Sequence, residues 1–300
     1  MAIRSPQSGH FFGWKRDLPD ARDYLLLDHE ALMPAASLPS SVDLRPQCPP
    51  VYDQGQLGSC TANSIAAGVQ FLQMKQQIAN FIPSRLFIYY QERLDQGDVA
   101  NDTGASIRES AKAVANYGVC PETDWPYDIS KFAEKPPGIA YTNAGQTKVT
   151  QYLAVAQNQQ QMKSCLANGY PIHIGFSVYS SFESQAVAQS GVAPMPDLKT
   201  EQLLGGHAVT VVGYDDAAGT WLCRNSWGSG WGMAGYFTFP YAYLTSAKLS
   251  GDFWTLRKVT GPEPAPTPTP SPTPTPTPAP GPTKVHQIDV YSDGSYQIVI

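Results

Sequence analysis

Residues 205–237 read GGHAVTVVGYDDAAGTWLCRNSWGSGWGMAGYF, and the alternation in this stretch decides the fold class. The segments 207–214, 220–225 and 235–239 are rich in β-branched and aromatic residues and are bounded by Gly and Asp, the pattern of short strands. The loop from Gly213 to Gly219 centres on Asp216. An antiparallel hairpin with that centre sets residue 207 opposite residue 225. Opposed side chains share a face, about 5 Å apart at Cβ. His207 and Asn225 can then hydrogen-bond, the amide oxygen holding one ring nitrogen and leaving the other for a nucleophile. Alone, His207 reads as a strand-end histidine and Asn225 as a turn residue; the pairing carries the weight, and a one-residue slip would undo it.

Upstream, PIHIGFSV (171–178) is one more strand, and before it the period changes from two to that of a helix. A first helix starts at Cys60, with Ile65, Val69 and Leu72 on one face beside Ala62 and Ala66. A second runs near 84–94. A third opens at Ser106, with Glu109 completing a capping box and Gly118 at its end, and a fourth spans about 158–168. Helices first and strands second define an α+β body with segregated halves, and a cleft between unlike halves is a common place for a site.

Cys60 lies in DQGQLGSCTANSIAAG (53–68), after glycines and at the head of the first helix. The positive end of the helix dipole favours thiolate, the nucleophilic form of the thiol. The plain alternative is a small buried residue at a helix start. Gln54, six residues earlier, can point its amide at the same place and form, with the backbone N–H of Cys60, an oxyanion hole. Its plain alternative is a solvated loop residue.

Composition narrows the function. The 300 residues carry a formal net charge of −5, only 15% are charged, and no basic cluster stands out, which argues against nucleic acid. No run of 18 apolar residues occurs, so no membrane insertion is expected. The five cysteines and five histidines show neither C-x-x-C nor H-x-x-x-H spacing, so no metal site is expected. Residues 261–283 form a Pro/Thr-rich linker, whose proline-alternating part, 262–282, is expected as an extended spacer reaching roughly 65 Å. Beyond it, 284–300 read either as a β-hairpin about Ser292–Ser295 or as a disordered tail. The spacer suits an envelope or extracellular setting, while the N-terminus lacks the apolar segment of a secretory signal.

The combination resembles the papain family of cysteine proteases. The likeness starts at LPSSVDLRP (38–46). It continues through PVYDQGQLGSC (50–60), YGVCPETDWPY (117–127), GGHAVTVVGY (205–214) and NSWGSGWGMAGYF (225–237), in the family's order. It implies a catalytic domain over 38–260, with a helical N-terminal lobe and an antiparallel β lobe. It also implies Cys60 as nucleophile, His207 as general base and acid, Asn225 as its orienter and Gln54 as oxyanion donor. Trp227 would shield the Asn–His bond, and Gly104, Gly206 and Trp227 would line the substrate wall. The expected reaction is peptide hydrolysis through a thioester by a monomer, without cofactor. A silent binding module and a thiol amidase or acyltransferase are the alternatives. The chain departs from the family at Thr61, usually Trp, at Leu57, usually a disulfide Cys, and at Gly206, often Asp or Asn. These changes are those of the bacterial branch and put the usual disulfides in doubt, leaving Cys120–Cys165 as a candidate pair. Residues 1–37 are too short for the family's long helical prosegment. They form either an inhibitory strand through the cleft or a strap on the back of the body.

Overall fold

The protein is described from a computed structural model, which covers residues 2–4, 9–262 and 287–299. The chain divides into two units, Met1–Pro264 and Ala265–Ile300. The Pro/Thr linker lies, apart from its first two residues, outside the described residues.

In the first unit the expected helices form as Cys60–Gln76, Arg85–Asp95, Ile107–Asn116 and Gln159–Ala167. Ser106 and Glu109 make the reciprocal capping box, so two otherwise orphaned N–H groups are satisfied. The Cys60 helix is buried along its whole length to Gln73, because helices flank it on one side and the sheet on the other. Ile65, Val69 and Leu72 join Leu86, Ile107 and Val114 in the core beneath it.

The second half is an antiparallel sheet. Its path runs Val149–Ala154, Ser250–Val259, Ile172–Tyr179, Leu203–Asp215, Thr220–Arg224, Tyr236–Pro240, with Ser41–Asp43 added on Leu203–Asp215. A second core lies under it, built on Phe176, Phe182, Trp221, Phe237 and Phe239. This is the α+β, two-lobed arrangement expected. Three of its strands, Ser41–Asp43, Val149–Ala154 and Ser250–Val259, carried no signal that singled them out.

The hairpin register differs from the expected one. The turn is Asp216–Gly219, closed by Asp215 facing Thr220, and the pairing slips between Val211 and Gly213. Thr210 therefore faces Arg224, and Asn225 falls beyond the end of its strand. The turn, centred between Ala217 and Ala218 rather than on Asp216, is what displaces the register, and the bulge takes back one residue of that shift.

All five cysteines are free, which removes the Cys120–Cys165 pair. Cys120 sits with Phe87, Ala140 and Ala144, whereas Cys165 sits in the sheet core, so the two belong to different packing clusters. Cys223 is the packed core thiol anticipated. In the second unit Gln287–Val290 pairs with Tyr296–Val299 as a hairpin, and Gly294 takes φ +85° in its turn. Ile288, Val290, Tyr296 and Ile298 share one exposed face of it.

Candidate active site

Cys60 is the first residue of its helix, held by the loop before it. The carboxylate of Asp102 accepts the Gly58 N–H at 3.0 Å and the Tyr89 hydroxyl, pinning that loop. The sulfur faces the backbone N–H groups of Ala208, Gly13 and Thr61. Ala208 follows His207, so the thiol lies against the strand that carries the histidine. Cys60 is fully buried, and burial pushes its thiol up to about 12 despite these N–H groups.

His207 Nε2 lies 2.8 Å from Asn225 Oδ1, which also accepts the Ser226 N–H at 2.8 Å. The contact expected from sequence exists, although the register that suggested it does not. The Asn225 N–H bonds to Gly235 O at 2.9 Å, so the chain turns just after Arg224 and returns the amide toward the ring. Trp227 stacks on His207 with centroids 4.7 Å apart, and Phe12 and Phe176 stand edge-on to it. Among the described residues His207 Nδ1 has no hydrogen-bond partner. Burial pulls the imidazole down to about 4, against the Asn225 bond, which raises it. In this covered state thiol and imidazole are both held neutral.

Gln54 is fixed by five contacts. Its Oε1 accepts the Ser226 hydroxyl at 2.7 Å, its N–H reaches Ser226 O at 2.8 Å, and its carbonyl accepts Tyr127 OH at 2.9 Å. With Oε1 committed, Nε2 must be the donor end, and it reaches Leu57 O at 2.9 Å and Phe11 O at 3.0 Å.

Phe11 belongs to the N-terminal segment, which takes the cleft rather than the back of the body. Trp14 N–H bonds to Gly206 O, Ala105 N–H to Gly13 O and Lys15 N–H to Ala105 O, each at 2.9 Å. The segment is thus pinned to both walls, pairing with Ala105 in parallel. Gly104, at φ +68°, admits it: a Cβ there would lie 1.8 Å from Gly13 O. A Cβ on Gly13 itself would lie 1.7 Å from Gly58 O. Further on, Arg16 donates to Ala247 O and Ser250 O, Arg108 pairs with Asp17 and Asp23, and Arg257 pairs with Glu30. The clue in sequence was Phe11-Phe12-Gly13-Trp14, a small residue among aromatics, but it has no periodicity to mark it.

The departure at Thr61 has a local reason. Its hydroxyl donates to Glu92 Oε1 at 2.9 Å, and Ser110 Oγ holds the other carboxyl oxygen. Glu92 is fully buried, and burial raises it to about 8 from 4.5, with the two hydroxyls opposing. The folded chain therefore grips this proton more tightly than the unfolded one. That stability is fully present below about pH 4.5 and is lost as pH rises through about 8. Glu92→Gln, which keeps the shape and has no proton to lose, should gain in melting temperature relative to the wild type as pH is raised from about 5 to 8. A difference flat with pH would refute the neutral carboxyl.

With this geometry in place, comparison with known proteins is direct. The model of the papain family cysteine protease matches residues 38–248. The chain is 40% identical over 274 residues to an uncharacterized peptidase C1-like protein of Acanthamoeba polyphaga mimivirus, covering 84% of this chain and 88% of that one. It is 31% identical over 221 residues to a cathepsin B-like protein of Giardia intestinalis, covering 68% and 69%. The crystal structure of xylellain, a cysteine protease from Xylella fastidiosa, superposes with TM-score 0.76 at 41% identity, over 86% of this chain and 98% of that one. The chain belongs to the papain family and is a cysteine-type peptidase. Among the described residues no helix is long and apolar enough to cross a membrane.

Proposed function

We propose that Cys60 is the nucleophile of this peptidase, His207 its proton partner, Asn225 the orienter of His207 and Gln54 an oxyanion donor. The observation that carries the reading is the 2.8 Å bond from His207 Nε2 to Asn225, which leaves Nδ1 unpartnered on a ring next to the Cys60 sulfur's own contact, Ala208. With the cleft open to substrate, the proton passes from sulfur to Nδ1, giving a thiolate–imidazolium pair. The thiolate attacks the scissile carbonyl, and the oxyanion is met by Gln54 Nε2 and the Cys60 N–H. His207 protonates the leaving amine, then takes a proton from water, which cleaves the thioester and restores the thiol. Trp227, stacked on the ring, keeps water from the Asn225 bond.

Residues 1–37 act as an inhibitory segment in this reading. Phe11 O sits on the Gln54 donor where an oxyanion would form, and the strap offers the sulfur the N–H of Gly13. An N–H blocks the sulfur and gives it nothing to attack.

Labelling with a thiol-directed epoxide and mapping of the adduct tests the nucleophile, and an adduct at any other cysteine would sink the assignment. A peptide-library digest run beside a panel of non-peptide amides separates the peptidase from an amidase or a silent module. Gln54→Ala should lower kcat by roughly 10²–10³-fold with little change in KM, as for loss of one oxyanion donor. An unchanged kcat would remove Gln54 from the mechanism.

A further inference from the structure

The strap has a second hold on the body, away from the sulfur. Leu26 follows Gly13 by thirteen residues and begins a single helical turn, Leu26–His29, which the Glu30 N–H closes on Leu26 O at 2.9 Å. Residues four apart across such a turn share a side, and both of these face the body. Leu26 is buried in the sheet core with Leu153, Val155, Met162 and Leu166. Glu30 pairs with Arg257. Backbone bonds flank the two. Ala154 N–H donates to Tyr24 O at 2.8 Å, Leu25 pairs in parallel with Ala154, and Met33 N–H donates to Ser164 Oγ at 2.9 Å.

The body supplies three things to this contact. Val149–Ala154 is the edge strand of the sheet, and an edge can accept a further strand. Leu26 fills an apolar pit beside it. Arg257, on the neighbouring strand Ser250–Val259, has a side chain only 2% exposed under the strap, and its Nε has no hydrogen-bond partner among the described residues. A guanidinium stays charged, so burial cannot neutralise it. It lies 3.8 Å from the centre of the Tyr170 ring, and Lys75 Nζ stands 4.8 Å from the same ring. Among the described residues, the carboxylate paired with Arg257 is Glu30, which belongs to the strap. Removing one partner of a buried ion pair leaves the other strongly disfavoured. Once the strap leaves, a strand edge, an apolar pit and a cation short of its carboxylate stand together.

We propose that this face is a docking site for protein substrates, taking a segment that presents an apolar side chain and, one helical turn later, a carboxylate. The inference rests on the peptidase reading of Cys60 and on release of the strap. The strap is the template for such a segment: main chain on the Ala154 edge, leucine in the pit, carboxylate on the guanidinium fork. A substrate held here has its scissile bond tethered near Cys60. Tethering raises the local concentration of that bond without adding any contact in the cleft. Short peptides gain nothing from it.

The test uses protein folded with its strap, cut between Ser37 and Leu38 at an inserted protease site and freed of the strap by gel filtration. Three kinds of substrate are compared: a short quenched-fluorescent peptide, the same peptide joined through a Gly/Ser spacer of about 15 residues to the sequence of residues 22–34, on either side, and the joined forms carrying Leu26→Asp or Glu30→Gln. Joining is expected to lower KM by at least about tenfold in one arrangement with kcat little changed. Leu26→Asp and Glu30→Gln in the peptide are each expected to remove most of that gain. So is Arg257→Met in the enzyme, which should still cut the short peptide like the wild type. The peptide variants decide the matter even if the enzyme variant fails to fold. Equal KM for joined and short peptides, a gain that survives both peptide variants, or a strap that stays on the cut enzyme through gel filtration overturns the proposal. Failure to cut the short peptide, with no epoxide adduct at Cys60, would instead bring down the peptidase reading on which it stands.

Discussion

Replacing Cys60 by alanine in the strap-free protein is expected to lower kcat for peptide hydrolysis by on the order of 10⁴–10⁶-fold, the loss found when a covalent nucleophile is deleted. The size follows from the arrangement. Sulfur, imidazole and amide act as one unit, so removing the sulfur idles His207 and Asn225 together, and only binding and the oxyanion donors remain. The exchange is small in volume and sits at a helix start, where Ala is tolerated by the neighbouring Ala62, Ala66 and Ala208. The variant should therefore fold, and its circular dichroism and melting temperature should match the wild type closely. Retained turnover in that folded variant would show that another group carries the chemistry.

Cutting the folded chain after Ser37 and removing residues 1–37 is expected to raise turnover by about 10²–10³-fold. Such a factor corresponds to a covered state favoured by roughly 3–4 kcal/mol, since the apparent activity scales with the uncovered fraction. Backbone bonds to Gly206 and Ala105, the Gln54 bond, and the carboxylate pairs to Arg108 and Arg257 are enough to supply a preference of that order. The thiol reports the same event independently of any substrate. Under the strap burial pushes Cys60 up to about 12, so at pH 8 very little is thiolate and alkylation should be slow. After removal the sulfur is wetted and paired with His207, and alkylation should speed up by a comparable factor. Equal rates of hydrolysis and alkylation in cut and intact protein would end the inhibitory reading.

Much of this was legible in the chain. The Cys60 helix, the Ser106 capping box and the strands about 172–179 and 203–224 are driven by local periodicity and local chemistry, and the sequence carries both. The candidate site residues were legible through their company: His207 meets Asn225, Gln54 meets the adjoining Ser226, and Cys60 lies against Ala208. The His207–Asn225 contact was reached by a wrong register, because the turn falls on Asp216–Gly219 and the run of small and polar residues from Asp215 to Gly219 does not mark its centre. The supporting shell was not legible. Asp102, Tyr127, Ser226 and Glu92 reach the site from loops and helices far apart in sequence, and no spacing rule links Asp102 to Gly58 or Glu92 to Thr61. Nor was the path of residues 10–15, whose conformation is set by the walls they lie between.

The strand Ser41–Asp43 bears on where trimming of the chain would halt. It is laced to Asp215–Gly213, while Asp216 N–H bonds to Ser40 O and Tyr214 OH to Pro39 O. A processing enzyme must draw its target out as a free extended thread, and a stretch already zipped into a sheet does not yield one. Digestion from the amino end should therefore run out near Leu38. The freshly made terminus would stay tethered beside the strand that bears His207, leaving the catalytic ring undisturbed by its own maturation.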